Sequence, residues 1–401
     1  MRRSFLAVVT YACLGASAPF AQVSGNSVKV GVLTDFTGVF SGLAGPGGVV
    51  AARMAISDFG GKVAGVPIEL ISADHGNKAD IGSGLARRWY DENGVDLVLD
   101  VPNSSVALAV QAIARERNKL VIYSGAGTAD LTGKGCMPTS FQWTWDTYSV
   151  AVSTGRAVLE EGRKNWYVIA ADYAFGQTMS QDVSRVVTAQ GGKVLGIVKH
   201  PVNTADFSSF ILQAQAASPD VIALANGGTD TINSVKQFGE FAGDGSPSKL
   251  VGLAVFLTDV HGIGVKSAAG LLLTTGFYWD RNDETRAWAK RFFDQHGAMP
   301  TMAQAGNYSA VMHYLKAVEA LGSDDPVRVA AKMRELPVED IFTDGGHIRE
   351  DGRMVHEMYL AQVKKPQEVR YPWDYYNILR VIPKNETVRP ASESECSLLR
   401  K

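Results

Sequence analysis

Three cysteines in 401 residues are too few for a scaffold built on disulfides. A formal net charge of −2 at pH 7 gives no electrostatic reason to expect nucleic acid or an anionic membrane as partner. Past the N-terminus no apolar run approaches the roughly 20 residues that cross ~30 Å of hydrocarbon, so stable membrane insertion is not expected. Enzyme signatures are missing as well: there is no G-x-x-x-x-G-K-[ST] phosphate loop, no G-x-S-x-G nucleophile elbow and no G-x-G-x-x-G opening the first helix. His356-Glu357 has no second histidine at the spacing a zinc protease needs, and the seven histidines are scattered. Asp280, Asn282 and Glu284 are spaced like ligands of a hard cation, but the glycine and distal glutamate of a calcium loop do not follow. Asp283 or a neighbour is expected to cap the next helix instead. No enzyme activity, cofactor or metal is expected.

Met1-Arg2-Arg3, a short apolar core over 5–14 and the small residues Gly15-Ala16-Ser17-Ala18 read as a signal peptide over 1–22, cleaved near residues 18–22. Cys13 follows Thr10-Tyr11-Ala12, without the leucine and small residues of a lipid-attachment box. A freely diffusing periplasmic protein is therefore expected. Cys136 and Cys396 remain as an even pair in an oxidising compartment, which makes a disulfide between the C-terminal tail and the first half plausible. Two free thiols stay as the alternative, because sequence separation does not set the distance between their Cα atoms.

With 46% hydrophobic residues, the chain is long enough for about two cored domains. From residue 28 onward short β-branched runs (28–34, 67–73, 96–101, 120–123) alternate with amphipathic stretches (48–59, 79–92, 105–117). After an aromatic segment over 141–148 the alternation resumes, with strands expected at 165–171, 193–199 and 221–225. This predicts an α/β protein with two doubly wound parallel-sheet lobes. No Pro/Gly-rich linker separates the halves, so the chain is expected to cross between lobes more than once. The division read from the sequence is 23–145 plus 277–353 for the first lobe, and 146–276 plus 354–401, including the C-terminal tail, for the second.

Informative residues cluster after the carboxyl ends of predicted strands, where open α/β sheets bind ligands beside helix N-termini. They are Asp35 to Gly42, Pro102-Asn103-Ser104-Ser105 and Ser124 to Thr128. Small hydroxyl residues there can hold a carboxylate, or simply cap helices. The order Val30-Gly31-Val32-Leu33-Thr34-Asp35, Asn103-Ser104-Ser105, Tyr123 to Thr128 with Ala129-Asp130-Leu131-Thr132, then Ala171-Asp172-Tyr173-Ala174-Phe175-Gly176 resembles the type I, Leu/Ile/Val-type periplasmic solute-binding family of ABC importers. The likeness runs from about residue 28 to 382.

That resemblance implies a three-segment hinge, closure of the lobes on ligand, and recognition of the closed form by permease subunits in the inner membrane. Residue by residue it places Ser104, Ser105, Ala126 and Thr128 on a ligand carboxylate, with Asn103 beside them. Phe175 and Tyr173 cover it from the second lobe, while Phe40 or Ser41 lines the mouth. Asn226, Asp230 and Phe256 fall on the remaining second-lobe loops, and Tyr148 joins a set of aromatic residues near the cleft. One departure stands out. Where amino-acid binders of the family place an acid for the ligand ammonium, this chain reads Gly252-Leu253-Ala254-Val255-Phe256-Leu257, and a buried ammonium without a counter-charge is costly. Aromatic segments at 141–148, 276–280 and 372–376 resemble a subgroup associated with plant-derived aromatic acids. The expected ligand is accordingly a small carboxylate, benzoate- or cinnamate-like. The alternatives are a branched-chain amino acid or amide, with Asp230 as ammonium partner, and a receptor that presents ligand to a membrane signalling protein.

Overall fold

The computed structural model describes residues 23–242 and 246–399; the expected leader over 1–22 lies outside the described residues. The first lobe is built on six strands, β1 (Val28–Thr34), β2 (Lys62–Val63), β3 (Val66–Asp74), β4 (Leu97–Asp100), β5 (Leu120–Tyr123) and β6 (Ser140–Gln142), in the order β2-β3-β1-β4-β5-β6. Pairing is parallel except for the short β2–β3 hairpin. Helices α1 (Gly45–Phe59), α2 (Ala79–Asp91) and α3 (Ser104–Glu116) connect the strands. β4 and β5 are buried along their whole length, which is why they read as unbroken apolar runs.

The second lobe repeats this plan with β7 (Asn165–Ala171), β8 (Lys193–His200), β9 (Val221–Ala225) and β10 (Lys249–Gly252), all parallel, in the order β10-β9-β7-β8. Its helices are α4 (Thr147–Glu160), α5 (Ala174–Ala189), α6 (Ser208–Ala216), α7 (Thr229–Ala242), α8 (Leu257–Ile263) and α9 (Val265–Ala268). β11 (Leu272–Thr275) leads back to the first lobe, where α10 (Asp283–His296), α11 (Met302–Leu321), α12 (Pro326–Glu335) and the hairpin of β12 (His347–Ile348) with β13 (Met354–Val355) lie. β14 (Met358–Val363) then returns to pair antiparallel with β11, and β15 (Tyr376–Ile382) pairs antiparallel with β14. The cap of α10 is Asn282, whose side chain accepts from Thr285 N at 2.8 Å. The Cys136–Cys396 disulfide is formed, with Cα atoms 5.7 Å apart.

Three crossings run side by side. Nε2 of His356 lies 2.6 Å from the Thr144 carbonyl oxygen, and a Cβ on Gly276 would sit 2.8 Å from the same ring. The buried Arg353 guanidinium donates to the carbonyls of Gln142, Trp143 and Thr144 at 3.1, 3.2 and 3.3 Å. These contacts join the segments near 144, 276 and 356 into a three-segment hinge.

β4 ends on an unusual turn: Asp100 and Val101 have φ of 86° and 49°, left-handed conformations that cost about 1–3 kcal/mol each. Neither Asp100 carboxyl oxygen has a hydrogen-bond partner among the described residues. Burial pushes this carboxyl up to about 7, although the nearby Thr34 and Asn307 side chains favour the ionised form. An unfolded aspartate titrates near 3.9, so between about pH 4 and 7 the native state keeps a proton that the unfolded chain releases. Stability therefore falls as pH rises through that window. Asp259, also pushed up to about 7 by burial, acts with the same sign. Asp100→Asn is expected to shrink the decline between pH 5 and 8 and to raise stability at pH 8 by about 2–4 kcal/mol, as measured by urea unfolding at both values. An unchanged decline would locate the retained proton elsewhere.

Candidate ligand-binding site

The carboxyl ends of the two parallel sheets face each other, and the loops after β1, β4 and β5 meet those after β7, β9 and β10. The loop after β1 is shaped by Asp35, which accepts from Gly38 N at 2.7 Å, Phe40 N at 2.8 Å and Asn77 Nδ2 at 2.6 Å. From the other side Thr301 Oγ1 donates to Leu43 O at 2.6 Å and Gln304 Nε2 to Ala44 O at 3.1 Å. Phe40 is thereby carried across to the second lobe.

The lobes are closed on one another. Thr229 N donates to Val39 O at 3.2 Å, Thr128 Oγ1 and Thr178 Oγ1 are 2.9 Å apart, and Ala174 N donates to Ser105 Oγ at 3.4 Å. Between them the walls nearly meet, leaving a cavity of about 10 Å³, room for roughly one water molecule. Its walls are aromatic. Trp145 meets Phe175 edge-on at 5.7 Å and Phe256 at 5.3 Å, and Tyr173 lies 6.3 Å from Phe40 and 6.0 Å from Phe175. Leu43, Pro102, Ala254 and the glycines 125, 127 and 227 complete the lining. None of these side chains is charged at neutral pH.

The polar groups at the edge are mostly donors. Ser104 Oγ accepts from Thr128 N at 3.2 Å, which leaves its hydroxyl proton available. The N-termini of α3 and α5 bring partial positive charge to the cavity. Trp145 is 3% exposed, and its indole N–H has no partner among the described residues. Burial holds the Tyr173 phenol well above its ordinary pKa, with Asp230 adding to the rise, so it stays protonated.

Phe40, Tyr173, Phe175 and Phe256 thus line the cavity, and Ser104, Ser105 and Thr128 sit at the lobe contact beside it. Asn103 is the N-cap of α3, with Oδ1 accepting from Ser105 N and Val106 N. Ala126 is buried and its carbonyl accepts from Gln142 Nε2 at 3.1 Å. Ser41 sits in the turn closed by its own N–H to Gly38 O at 3.2 Å. Three candidates point elsewhere. Asn226 bonds His200 Nε2 and Ser234 Oγ, both at 3.1 Å, inside the second lobe. Asp230 accepts from Asn203 N at 3.1 Å and Thr204 N at 2.9 Å, its carboxyl pushed up to about 6 by burial. Tyr148 lies under Arg389, 4.6 Å from its ring centre. Pro102 belongs to the loop read after β4 and Trp145 to the aromatic segment over 141–148, neither with an assigned ligand role, and Leu43 carries no sequence signal; Trp145 sits on a hinge crossing rather than in a strand-end loop.

This two-lobed architecture is matched at sequence level: the pattern described as "Periplasmic binding protein" covers residues 27–368. The chain belongs to that family. A periplasmic binding protein captures a solute and performs no reaction on it. Among solved structures, this binding protein is similar to a periplasmic binding protein from Burkholderia mallei, at 44% identity and TM-score 0.91, covering 93% of this chain and 99% of that one. It is also similar to a branched chain amino acid ABC transporter periplasmic ligand-binding protein from Burkholderia xenovorans LB400, at 39% identity and TM-score 0.83, covering 93% and 100%. A solute binding protein of an ABC transporter from R. palustris, in complex with benzoate, shares the fold at 20% identity and TM-score 0.81, over 93% of this chain and 100% of that one. Over 240 residues the chain is 25% identical to the Leu/Ile/Val-binding protein homolog 6 of Brucella melitensis, which covers 59% of this chain. The match spans about 60% of that relative's length.

Proposed function

We propose that this protein is the periplasmic receptor of an ABC importer for a small aromatic carboxylate of benzoate or cinnamate size, exported by its N-terminal leader and closed by its ligand. One observation carries the reading: the cavity between the lobes is aromatic, has no charged side chain in its lining, and is edged by donors. An anion can be held there by hydroxyls, the Trp145 N–H and two helix N-termini. An ammonium would find no counter-charge, and burying it unpaired costs several kcal/mol. Planar rings suit these walls through offset or edge-on contacts worth about 0.5–1.5 kcal/mol each beyond burial.

A branched-chain amino acid is the second reading, favoured by the description of the 39% identical relative. Calorimetric titration with benzoate, cinnamate, leucine and isoleucine separates the two. Heat only with the aromatic acids supports the proposal, and heat only with the amino acids overturns it. Trp145→Phe retains the ring and removes the donor; it is expected to weaken benzoate binding about tenfold, a loss of ~1.4 kcal/mol. Unchanged affinity would remove the indole N–H from the site.

A further inference from the structure

The chain does not end where β15 does. Beyond Ile382 it runs onto the first lobe's side of the hinge. Lys384 Nζ donates to Asp344 O at 2.9 Å and Gly345 O at 2.7 Å, Thr387 Oγ1 donates to His356 O at 2.9 Å, and Arg349 Nη1 donates to Arg389 O at 2.7 Å. The segment is then fixed covalently to the first lobe through Cys396 and Cys136. The Arg389 side chain points the other way. Its Nη2 lies 2.5 Å from Asp182 Oδ1 on α5, and its guanidinium covers the ring of Tyr148 on α4, both in the second lobe.

We propose that residues 383–396 are a strap forming a fourth tie between the lobes, and that Arg389 is its latch, a positioning residue that restrains opening without touching ligand. Asp182 is built to receive it. The Asp182 side chain is 2% exposed and that of Arg389 16%, and Thr147 Oγ1 donates to the other carboxyl oxygen at 2.8 Å. Asp182 also lies one helical turn beyond Thr178, which touches Thr128 across the cleft. Between the strap, α5 and residues 129–134 is a polar cavity that Arg389 and Asp182 help to line. Rotation about a three-segment hinge moves whole lobes. With the Arg389 backbone held by one lobe and its guanidinium by the other, opening separates the ion pair and leaves the buried Asp182 carboxylate with only Thr147 Oγ1 at 2.8 Å and the longer contact to Arg185 at 3.7 Å among these partners. The unliganded ensemble is shifted toward closure, and ligand release is slowed rather than capture speeded.

Small-angle scattering of the ligand-free full chain tests this without any ligand. Arg389→Gln is expected to increase the radius of gyration relative to the oxidised protein, and so is Cys136→Ser/Cys396→Ser. Arg389→Lys should recover part of the difference. Combining Arg389→Gln with the two serine substitutions should open the protein no further than the more open parent, because both act through one strap. With benzoate as probe, Arg389→Gln should release it about tenfold faster at an association rate changed less than about twofold. Radii equal to the parent's for both Arg389→Gln and the serine pair, with circular dichroism showing folded protein, would overturn the latch. Failure of benzoate to bind the parent would overturn the aromatic-acid reading and leave the scattering result standing.

Discussion

Replacing Gly228 by alanine is expected to weaken ligand binding at least about a hundredfold, roughly 2.7 kcal/mol, while both lobes stay folded. Gly228 follows β9 with φ of 62°, and it lies where the first lobe lands: a Cβ there would be 2.0 Å from the Val39 carbonyl oxygen and 3.0 Å from its carbon. These are backbone atoms, held by the turn that Asp35 organises, so they cannot swing aside as a side-chain end would. In an open protein the new methyl has only the left-handed backbone to contend with, about 1–2 kcal/mol. In the closed protein it must also push Val39 away. That breaks the bond from Thr229 N to Val39 O and lifts Phe40 off Gly227, whose Cβ position is 3.5 Å from that ring. Calorimetry against the parent's ligand, with urea unfolding as control, reads the two effects separately. An affinity within about threefold of the parent would mean that ligand is bound with the lobes apart.

That asymmetry between lobe and interface also governs how much of the molecule can be read from sequence. The parallel strands declare themselves because burial on both faces requires unbroken apolar runs, as in β4, β5 and β9. β6 does not: Ser140–Gln142 is three residues long, and its apolar signal merges with the aromatic segment over 141–148. Helix starts shift for a similar reason. α4 begins at Thr147, inside the aromatic segment, because Asp146 and Ser149 cap it reciprocally, a signal carried by two polar residues ahead of the apolar period.

Position at a strand end locates a loop but not the direction of a side chain. Phe40, Tyr173, Phe175 and Phe256 face the cavity, whereas Asn226 and Asp230, on an equally placed loop, turn inward to bind His200 and the backbone at 203–204. The Asn226 amide finds side-chain partners and the Asp230 carboxylate backbone partners within their own lobe, whereas the four rings meet across the cleft. Trp145 was legible as an aromatic near the cleft, yet its orphaned N–H emerges only when the crossing segment is folded against both lobes.

Least legible of all is Arg353, one arginine in a polar run, whose partners Gln142, Trp143 and Thr144 are 211, 210 and 209 residues away. Arg353→Ala is expected to cost about 3–5 kcal/mol of stability, the loss typical of removing one side of a buried pair. The guanidinium is 1% exposed. Burial lowers its pKa, opposed chiefly by Asp146, whose carboxylate stands 3.4 Å from Nε. Without the cation, Asp146 is left buried beside carbonyls that have lost their donor, and water can reach them only by parting the crossings. Arg353→Lys keeps the charge but cannot span the same set of carbonyls from one ammonium, so it should lose about half as much. Because Arg353 binds one crossing to another, the alanine variant should also unfold in two steps, one per lobe, where the parent unfolds in one. Urea titrations followed by tryptophan fluorescence and circular dichroism distinguish these cases. Coincident transitions with a loss under about 1 kcal/mol would show that the hinge is held together by His356 and the backbone alone.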